Sequence, residues 1–566
     1  MTNTRPPVDR SPADGRGRPL LVTWLLLSVL VFAVASAPYL YAQFSRPVDR
    51  IYTGLMFDVP DHAQYWSWVT SSRTALFISN TMTPEPNPPI FMNPMMWVLA
   101  RIQSGLGLSF PALFQVWRAG ATLLLVLAVL ALFRSVVPDR QRRATALWVA
   151  LIGSGFGWAL VVAKTLLRLP DVPFPMDLYI VEPNTFFGLL AYPHLILAQA
   201  LLLLTLLGIW LSYRGRGWPA HLLGGVAALG LALSHAYDLL TVYLILLVFG
   251  AAVIVRTRAI PWGLVVSGIV IGACSAPVAL YYQNLTAHDP LWSSVLAQYA
   301  NAGVWTPPHL HLVILMGLPL LLAIVGLFPA APRDERSWFV TVWALVGLVL
   351  IYLPVVFQIK FLGGWQFPIA VLAAHAWHDR ILPRMSGWLG RIPTLRVSPA
   401  AIGRTILVLL IIPTNLYLFS WRFVELRRHQ APYYLQRDEV VALDWLARSA
   451  TARDVVLAPE EIGRFVPNYG ATRAYLAHWA MTNRYHERVA NVRKFFDPAT
   501  SDAWRESLLR DEGVTMVLRA GNIPGLDQTW DPSGSSLLEP ILTLPAAQLF
   551  RYRREEGTRS ALHGGR

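Results

Sequence analysis

The sequence predicts a mainly α-helical membrane protein: a polytopic bundle of about eleven transmembrane helices, followed by an extracytoplasmic α/β domain. Hydrophobic residues occupy 55% of the 566 positions, and the mean hydropathy is +0.45. Charged residues make up only 14%, whereas a soluble domain carries about 25%. This composition excludes a soluble globular protein and a disordered chain. The single cysteine, Cys274, excludes an intrachain disulfide and a cysteine-based zinc site.

Eleven segments are candidates for spans, because a hydrocarbon core about 30 Å thick needs about 20 mostly apolar residues per helix. The first segment could instead be a cleaved signal peptide. We reject that interpretation, because the apolar stretch exceeds the roughly 7–15 residues typical of such peptides and Pro38 follows the best cleavage position. The predicted spans lie near residues 20–42, 111–133, 145–167, 187–212, 219–235, 238–255, 261–282, 309–329, 337–357, 365–379 and 401–421.

The distribution of basic residues predicts the orientation. A cytoplasmic N-terminus places nineteen Lys and Arg residues in inside segments and seven in outside segments before residue 421, as the positive-inside rule requires. An odd number of spans then places everything after Arg422 outside the cell. We therefore expect a multi-pass plasma-membrane protein. The same rule accounts for the net charge of +14, so no nucleic-acid partner is expected.

The region after the last span lacks any further apolar stretch of membrane length and carries charges of both signs. A helical pattern at residues 438–446 and short apolar runs at 455–457 and 514–518 indicate a small α/β domain. The predicted regions are a basic cytoplasmic tail at 1–19, a transmembrane domain at 20–421 with a long first outer loop at 43–110, an extracytoplasmic α/β domain at 422–553 and a mobile C-terminal end at 554–566.

Ionisable residues gather at the predicted outer ends of the spans. Such groups are costly near a membrane and are therefore functional candidates. Because all of them face outward in this topology, one shared extracytoplasmic site is the economical explanation. They are Asp58, Asp61 and His62 in the first outer loop, Asp171, Asp177 and Glu182 after the third span, His194, the neighbours His235 and Asp238, and Lys360.

Asp61 is the candidate catalytic base. A carboxylate at the edge of an apolar cavity has its pKa raised by desolvation, which suits it to accept a proton from an attacking hydroxyl. Tyr65 lies four residues later and would share a helix face with Asp61, and Trp66 and Trp68 offer apolar or sugar-stacking surface. Alternatively, Asp61 and Asp58 only cap a short helix.

Other candidates could bind a phosphate: Lys360, His194 and His235. Each also has a structural alternative. His194 could be a buried histidine at a helix start, His235 and Asp238 could bond only to each other, and Lys360 could extend to the membrane interface. The adjacent Gly363-Gly364 favours close approach of a ligand to Lys360.

Common nucleotide-binding and hydrolase motifs are missing from the sequence. It contains no phosphate-binding P-loop, no Gly-x-Gly-x-x-Gly after a strand, no His-Glu-x-x-His and no nucleophile elbow. Nucleotide-driven transport is therefore not expected. Carboxylates with histidines could bind a divalent cation, but no spacing requires one, so no cofactor is assigned and the metal stays unknown.

Three segments carry a family resemblance. Asp61-His-Ala-Gln-Tyr-Trp-Ser-Trp68 is similar to the Asp-x-x-x-Tyr segment in the first outer loop of the GT-C superfamily, integral membrane glycosyltransferases that use lipid-phosphate-linked sugars outside the membrane. Lys360-Phe-Leu-Gly-Gly-Trp-Gln-Phe-Pro368 and His478-Trp-Ala-Met-Thr-Asn-Arg-Tyr485 resemble stretches of bacterial members. The predicted order of first span, long outer loop, further spans and C-terminal α/β domain also resembles this superfamily.

The resemblance implies a mechanism. Asp61 would deprotonate an acceptor hydroxyl, which displaces the lipid phosphate with inversion at the sugar carbon, while Lys360 holds that phosphate. Asp58 would assist, although some GT-C branches have an adjacent acidic pair and here the two carboxylates are separated. The candidate substrate-binding residues are Tyr65, Glu182, His194, His235, Asp238, Lys360, His478 and Tyr485.

We therefore expect a hexosyl- or pentosyltransferase of the cell envelope. Its donor would be a polyprenyl-phosphate-linked sugar, its acceptor a glycan, a lipid or a protein, and its other partners membrane lipids. The alternative is a polytopic transporter or a flippase of lipid-linked sugars without transferase activity. Inverted repeats and mid-membrane charges are typical of transporters, and neither is evident in the sequence.

Overall fold

A computed structural model describes residues 17–170, 174–300, 304–328, 334–389, 391, 398–526 and 528–553. Most of the predicted basic tail, Asp171 and the predicted C-terminal end at 554–566 lie outside these residues. The described chain forms a large helical part followed by a smaller region that contains a β-sheet. This architecture confirms the predicted fold class.

Helices α1–α18 form the helical part and α19–α23 belong to the C-terminal region. The α-helices are α1 Gly17–Ser45, α2 Val59–Ser71, α3 Pro94–Leu106, α4 Phe110–Val136, α5 Arg140–Ile152, α6 Gly157–Leu166, α7 Thr185–Ala191, α8 Pro193–Tyr213, α9 Trp218–His235, α10 Asp238–Thr257, α11 Trp262–His288, α12 Pro290–Gln298, α13 His309–Gly326, α14 Glu335–Leu350, α15 Gln366–Ala376, α16 Leu382–Leu389, α17 Pro399–Ile411, α18 Pro413–Leu426, α19 Arg437–Ser449, α20 Glu460–Gly463, α21 Val466–Tyr469, α22 Tyr485–Phe495 and α23 Asp502–Asp511.

Six described helices are long and apolar enough to cross a membrane: α1, α4, α8, α10, α11 and α13. The number rises to eight if the bent pairs α5–α6 (48°) and α17–α18 (53°) each count as one span. The three other predicted spans correspond to helices α9, α14 and α15. With 11 residues, α15 is only about 16 Å long, so the predicted count of eleven spans is not confirmed. The six to eight candidate spans do confirm a multi-pass membrane architecture.

The breaks in both bent pairs meet at one buried carboxylate, Asp177. Its Oδ2 accepts hydrogen bonds from the backbone N–H of Gly157 (2.8 Å) and from Oγ1 of Thr414 (3.2 Å). A Cβ atom at Gly157 would lie 1.9 Å from the Asp177 carboxylate, so only glycine fits there. Asp177 thus joins the two bent helix pairs through hydrogen bonds. Its role is structural, unlike the catalytic and binding roles expected of the other site residues.

The C-terminal region contains a five-stranded sheet with the order β6-β5-β7-β9-β8. Strand β5 is parallel to β6 and β7, and β9 is antiparallel to β7 and β8. The predicted helix at 438–446 lies within α19, and the predicted strands coincide with β5 and most of β7. The strands are β1 Arg50–Tyr52, β2 Phe77–Ile78, β3 Phe91–Met92, β4 Tyr434–Gln436, β5 Val455–Leu457, β6 Arg473–Ala474, β7 Met516–Ala520, β8 Leu538–Thr543 and β9 Ala547–Tyr552.

The C-terminal region packs closely against the first loop, residues 43–110. Strand β1 pairs antiparallel with β4, with Ile51 opposite Leu435. One hydrophobic core contains side chains from both regions. Arg488, which is 1% exposed, forms an ion pair with Glu85 of the first loop (2.6 Å). The predicted domain boundary at residue 422 falls inside α18, and the two regions share their interior.

Candidate active site

Helix α2 carries the predicted base in its first turn. The helix begins after Asp58, which occupies the N-cap position without a side-chain capping hydrogen bond. Asp61 follows in the first turn, where a negative charge is favoured by the helix dipole. Asp58 also interacts with the backbone N–H of Asp61, so the capping alternative stays open for Asp58.

Asp61 is bound by a residue 417 positions away, His478 of the C-terminal region. The distance from His478 Nε2 to Asp61 Oδ1 is 2.9 Å. His478 Nδ1 accepts hydrogen bonds from the backbone N–H groups of Ala480 (3.1 Å) and Met481 (3.2 Å). A nitrogen that accepts cannot carry the proton, so the proton resides on Nε2 and is donated to Asp61. The histidine side chain is 0% exposed, and it holds the carboxylate as a neutral donor.

The two carboxylates of this turn differ in their affinity for protons. Burial, together with the negative charge of Asp61, raises the pKa of Asp58 to about 7. Burial also disfavours the charged form of Asp61, but the hydrogen bond from His478 and the positive charge of Lys360 outweigh it, so the pKa of Asp61 lies below its ordinary value. At neutral pH Asp61 is therefore ionised, whereas Asp58 is divided about equally between its protonated and charged forms.

Asp58→Asn is expected to stabilise the protein, and more so at alkaline pH. Because the pKa of Asp58 rises from 3.8 to about 7 on folding, the folded state loses stability relative to the unfolded chain as the pH rises through this interval. Asparagine mimics the protonated form, so we expect a gain of about 4 kcal/mol at pH 8 that shrinks to about 2 kcal/mol at pH 5. Thermal unfolding at both pH values measures it. A gain that is equal at both, or absent, would contradict the raised pKa.

Hydrogen bonds to the last carbonyl oxygens of α7 fix the start of α8, which carries His194. Pro193 begins α8 and has no N–H to offer Leu189 O, and the three last carbonyl oxygens of α7 accept hydrogen bonds from side chains instead. Each is bound by a side chain from a different helix. The donors are Arg118 Nη2 to Leu189 O (3.2 Å), Tyr39 OH to Leu190 O (3.0 Å) and His62 Nε2 to Ala191 O (2.6 Å).

This arrangement places His194, in the first turn of α8, against α2. Its Nε2 shares a hydrogen bond with the hydroxyl of Tyr65 (3.1 Å), and the two rings lie 4.7 Å apart. Its Nδ1 is buried and has no hydrogen-bond partner among the described residues. A purely structural histidine would have both nitrogens satisfied, so this nitrogen is available to a ligand.

Lys360 is a buried cation rather than an interfacial one. It lies on the 3₁₀ turn Gln358–Leu362 and is 8% exposed, which excludes the alternative of extension to the membrane interface. Its Nζ is 2.7 Å from Oε1 of Glu182 and 5.5 Å from the centre of the Tyr299 ring. Of the three donors of its ammonium group, Glu182 engages one.

His235 and Asp238 bond to each other at the turn between α9 and α10, but not only to each other as the structural alternative expected. His235 Nδ1 is 2.7 Å from Asp238 Oδ2. Tyr237, which the sequence analysis did not select, places its hydroxyl 2.5 Å from His235 Nε2. The three side chains form one hydrogen-bonded chain that ends at a tyrosine hydroxyl.

Electrostatic interactions connect these pairs. His194 interacts with His235, Asp61 and Lys360, and Tyr237 interacts with Lys360, Asp238 and Glu182. The structure therefore brings most of the predicted site residues together. We call this set the polar cluster: Asp58, Asp61, Tyr65, Glu182, His194, His235, Asp238, Lys360 and His478.

Tyr485 lies outside the polar cluster. Its hydroxyl donates to Glu460 (2.9 Å), a residue of α20. Tyr299, by contrast, lies beside Lys360 and stacks on Trp479 at 5.5 Å with an interplanar angle of 13°. Sequence reasoning missed it because Tyr299 follows α12 in an apolar segment without any polar motif.

No ligand set for a divalent cation is evident among the described residues. Among the residues that the structure describes, no group of three or more His, Cys, Asp or Glu side chains is arranged to hold a metal ion. The nitrogens of His478 are engaged by the backbone and by Asp61. No step is therefore assigned to a metal.

Comparisons with known proteins identify the fold. No family model and no curated protein matches the chain, but solved structures do. Archaeal oligosaccharyltransferase AglB from Archaeoglobus fulgidus, in complex with an inhibitory peptide and a dolichol-phosphate, is 12% identical, with a TM-score of 0.52 over 87% of this chain and 69% of that chain.

Two further solved structures have a similar fold. ArnT from Cupriavidus metallidurans bound to undecaprenyl phosphate is 13% identical, with a TM-score of 0.51 over 94% of this chain and 98% of that chain. Arabinofuranosyltransferase AftD from Mycobacteria is 16% identical, with a TM-score of 0.50 over 93% of this chain and 42% of that chain. The chain shares its fold with these three solved structures, as the sequence resemblance predicted.

Proposed function

We propose that this protein is a membrane glycosyltransferase that moves a sugar from a polyprenyl-phosphate donor to a hydroxyl of an envelope acceptor. The observation that carries the proposal is the Asp61 carboxylate, held by the neutral His478 at 2.9 Å in a cluster that also contains the buried Lys360. The fold supports it, since AglB and ArnT are described with dolichol-phosphate and undecaprenyl phosphate. The donor sugar is a hexose or a pentose, and the acceptor is a glycan, a lipid or a protein.

The reaction is a single displacement. Asp61 accepts the proton of the acceptor hydroxyl as the hydroxyl oxygen forms a bond to the anomeric carbon. The bond from that carbon to the phosphate oxygen breaks at the same time, the electron pair leaves with the lipid phosphate, and the configuration at carbon inverts. With a pKa of about 7, Asp58 is protonated in about half of the molecules at neutral pH, which lessens the repulsion of the approaching phosphate.

Lys360 binds the departing phosphate. Its ammonium group keeps one hydrogen bond to Glu182 and has two further donors for phosphate oxygens. Burial strengthens this attraction, because charges interact more strongly away from water. Two further polar groups could contact the donor. They are the hydroxyl of Tyr237, which is hydrogen-bonded to His235, and Nδ1 of His194, which has no partner among the described residues.

The site opens on the extracytoplasmic side in this proposal, with the N-terminus in the cytoplasm. The test is transfer by purified protein in vesicles that contain radiolabelled polyprenyl-phosphate sugars, with the envelope glycans of a strain lacking the protein compared with those of its parent. Loss of one envelope sugar linkage together with transfer in vitro supports the proposal. Movement of the lipid-linked sugar across the vesicle membrane without transfer would establish the transporter alternative.

His478 is a positioning residue in this mechanism, and its removal should change the pH profile. His478→Leu deletes the hydrogen bond that stabilises the Asp61 carboxylate, so the pKa of Asp61 rises and the acid limb of kcat/KM shifts to higher pH. A hydrogen bond to a charged group is worth about 1.5–3 kcal/mol, which corresponds to a shift of about one to two pH units. His478→Gln retains a donor and should shift the limb less.

The control is His486→Leu, the same change at an exposed histidine of α22. It should leave the profile unchanged. Thermal unfolding identifies variants that fail to fold. A folded His478→Leu protein with the wild-type acid limb would show that His478 does not set the ionisation of Asp61.

A further inference from the structure

A cavity lies against helix α2, lined by Trp66 and not by Asp61. Its volume is about 310 Å³, at the lower end of the roughly 300–1,000 Å³ of small-molecule sites. Its walls come from α2, the end of α3, the start of α4, strands β1 and β4, and α21. The cavity is therefore built jointly by the first loop and the C-terminal region, and it contains none of the polar cluster.

Asn468 supplies an unused amide to this cavity. The residue is 2% exposed, and neither its side-chain nitrogen nor its side-chain oxygen has a hydrogen-bond partner among the described residues. Its backbone oxygen accepts from Thr70 Oγ1 (2.9 Å), which fixes the residue in place. A buried amide without partners is unfavourable, so this position fits a ligand that presents a donor and an acceptor side by side.

The other walls are aromatic and cationic. Trp66 stacks on Phe110 at 4.8 Å with an interplanar angle of 9°, and its ring centre lies 5.4 Å from that of Tyr469. At the rim, exposed Arg73 donates from Nε and Nη2 to Oε1 of the buried Gln103 (3.2 and 3.1 Å). A rigid aromatic wall thus faces fixed polar groups.

We propose that this cavity binds a saccharide, one or two sugar units in size. Sugar hydroxyls donate and accept together, as the Asn468 amide requires, and the C–H faces of a sugar ring pack against aromatic rings. A lipid tail would leave the amide unpaired. That the bound saccharide is part of the acceptor rests on the proposed function, whereas its binding does not.

Binding is measured on the full-length protein in lipid nanodiscs, because sugar-headed detergents would compete. The probes are methyl glycosides of glucose, galactose, mannose, N-acetylglucosamine and arabinose, observed by saturation-transfer NMR. We expect at least one glycoside to bind to the wild type and equally to Asp61→Asn, which separates this result from catalysis. Asn468→Leu and Arg73→Met should weaken that binding at least tenfold.

Arg101→Met is the matched control, since Arg101 is a neighbouring exposed arginine outside the cavity that donates to the backbone of Ser72. It should bind the glycoside as the wild type does. If Asn468→Leu fails to fold, the exposed Arg73 carries the test. Absence of binding by every glycoside, or wild-type binding by folded Asn468→Leu or by Arg73→Met, would overturn the proposal.

Discussion

Asp61→Asn is expected to lower the rate of sugar transfer by about 10²–10⁴-fold, the usual contribution of a general base. Asparagine retains the size of the side chain and an oxygen that accepts the hydrogen bond from His478 Nε2, now at 2.9 Å, so the local structure should persist. What it lacks is the capacity to take a proton. We therefore expect normal membrane insertion and donor binding with transfer nearly abolished, as measured with a radiolabelled lipid-linked sugar.

The matched control is Asp49→Asn in the same loop, where the carboxylate is 75% exposed. Its transfer rate should equal that of the wild type. Wild-type transfer by Asp61→Asn would show that another group removes the proton. Asp58 is then the first candidate, because it lies on the same turn and its pKa is about 7.

Lys360→Met is expected to cost about 3–5 kcal/mol of unfolding free energy, because it leaves Glu182 buried without its counter-ion. Both side chains of the pair are at most 10% exposed, so water cannot replace the lost ammonium group. Chemical unfolding followed by the exposure of Cys274 to a thiol reagent measures the change. Transfer should fall as well, since the proposed phosphate ligand is gone.

The double variant Lys360→Met/Glu182→Met distinguishes the two effects. Replacing a whole buried ion pair by apolar residues is often neutral or stabilising, so stability should recover while transfer stays low. Arg214→Met is the surface comparison: its pair with Glu335 is 37% and 42% exposed and should be worth at most about 1 kcal/mol. Recovery of transfer in the double variant would contradict a role for Lys360 in binding phosphate.

Local patterns were sufficient to predict the long apolar helices and the buried strands. Helix α4 spans Phe110–Val136 where the apolar stretch predicted 111–133, and β5 lies at the predicted residues. Hydropathy, however, does not distinguish a helix buried among other helices from one that faces lipid. Nearly all residues of α15 are buried, so its apolar sequence predicted a span although the helix is short.

The candidate site was predictable as a list but not as a geometry. Local turns determine the contact of His235 with Asp238, three residues apart. The pairing of Lys360 with Glu182 spans 178 residues, and no periodicity encodes such a contact. His478 was selected only through the family resemblance, as a substrate-binding residue, whereas its nitrogens bind Asp61 and the backbone. Tyr485, chosen on the same ground, lies elsewhere because its helix faces Glu460.

The hydrogen bond between Asp61 and His478 can form only late in the synthesis of the chain. A ribosome adds about 5–20 residues per second, so the 417 residues between the two positions take about 20–80 s to translate. During that interval the membrane helices from α4 to α18 are synthesised one after another, and the Asp61 carboxylate still lacks the imidazole that binds it. The pair therefore forms only after residue 478 has been made, and the C-terminal region completes the surroundings of Asp61 late in synthesis.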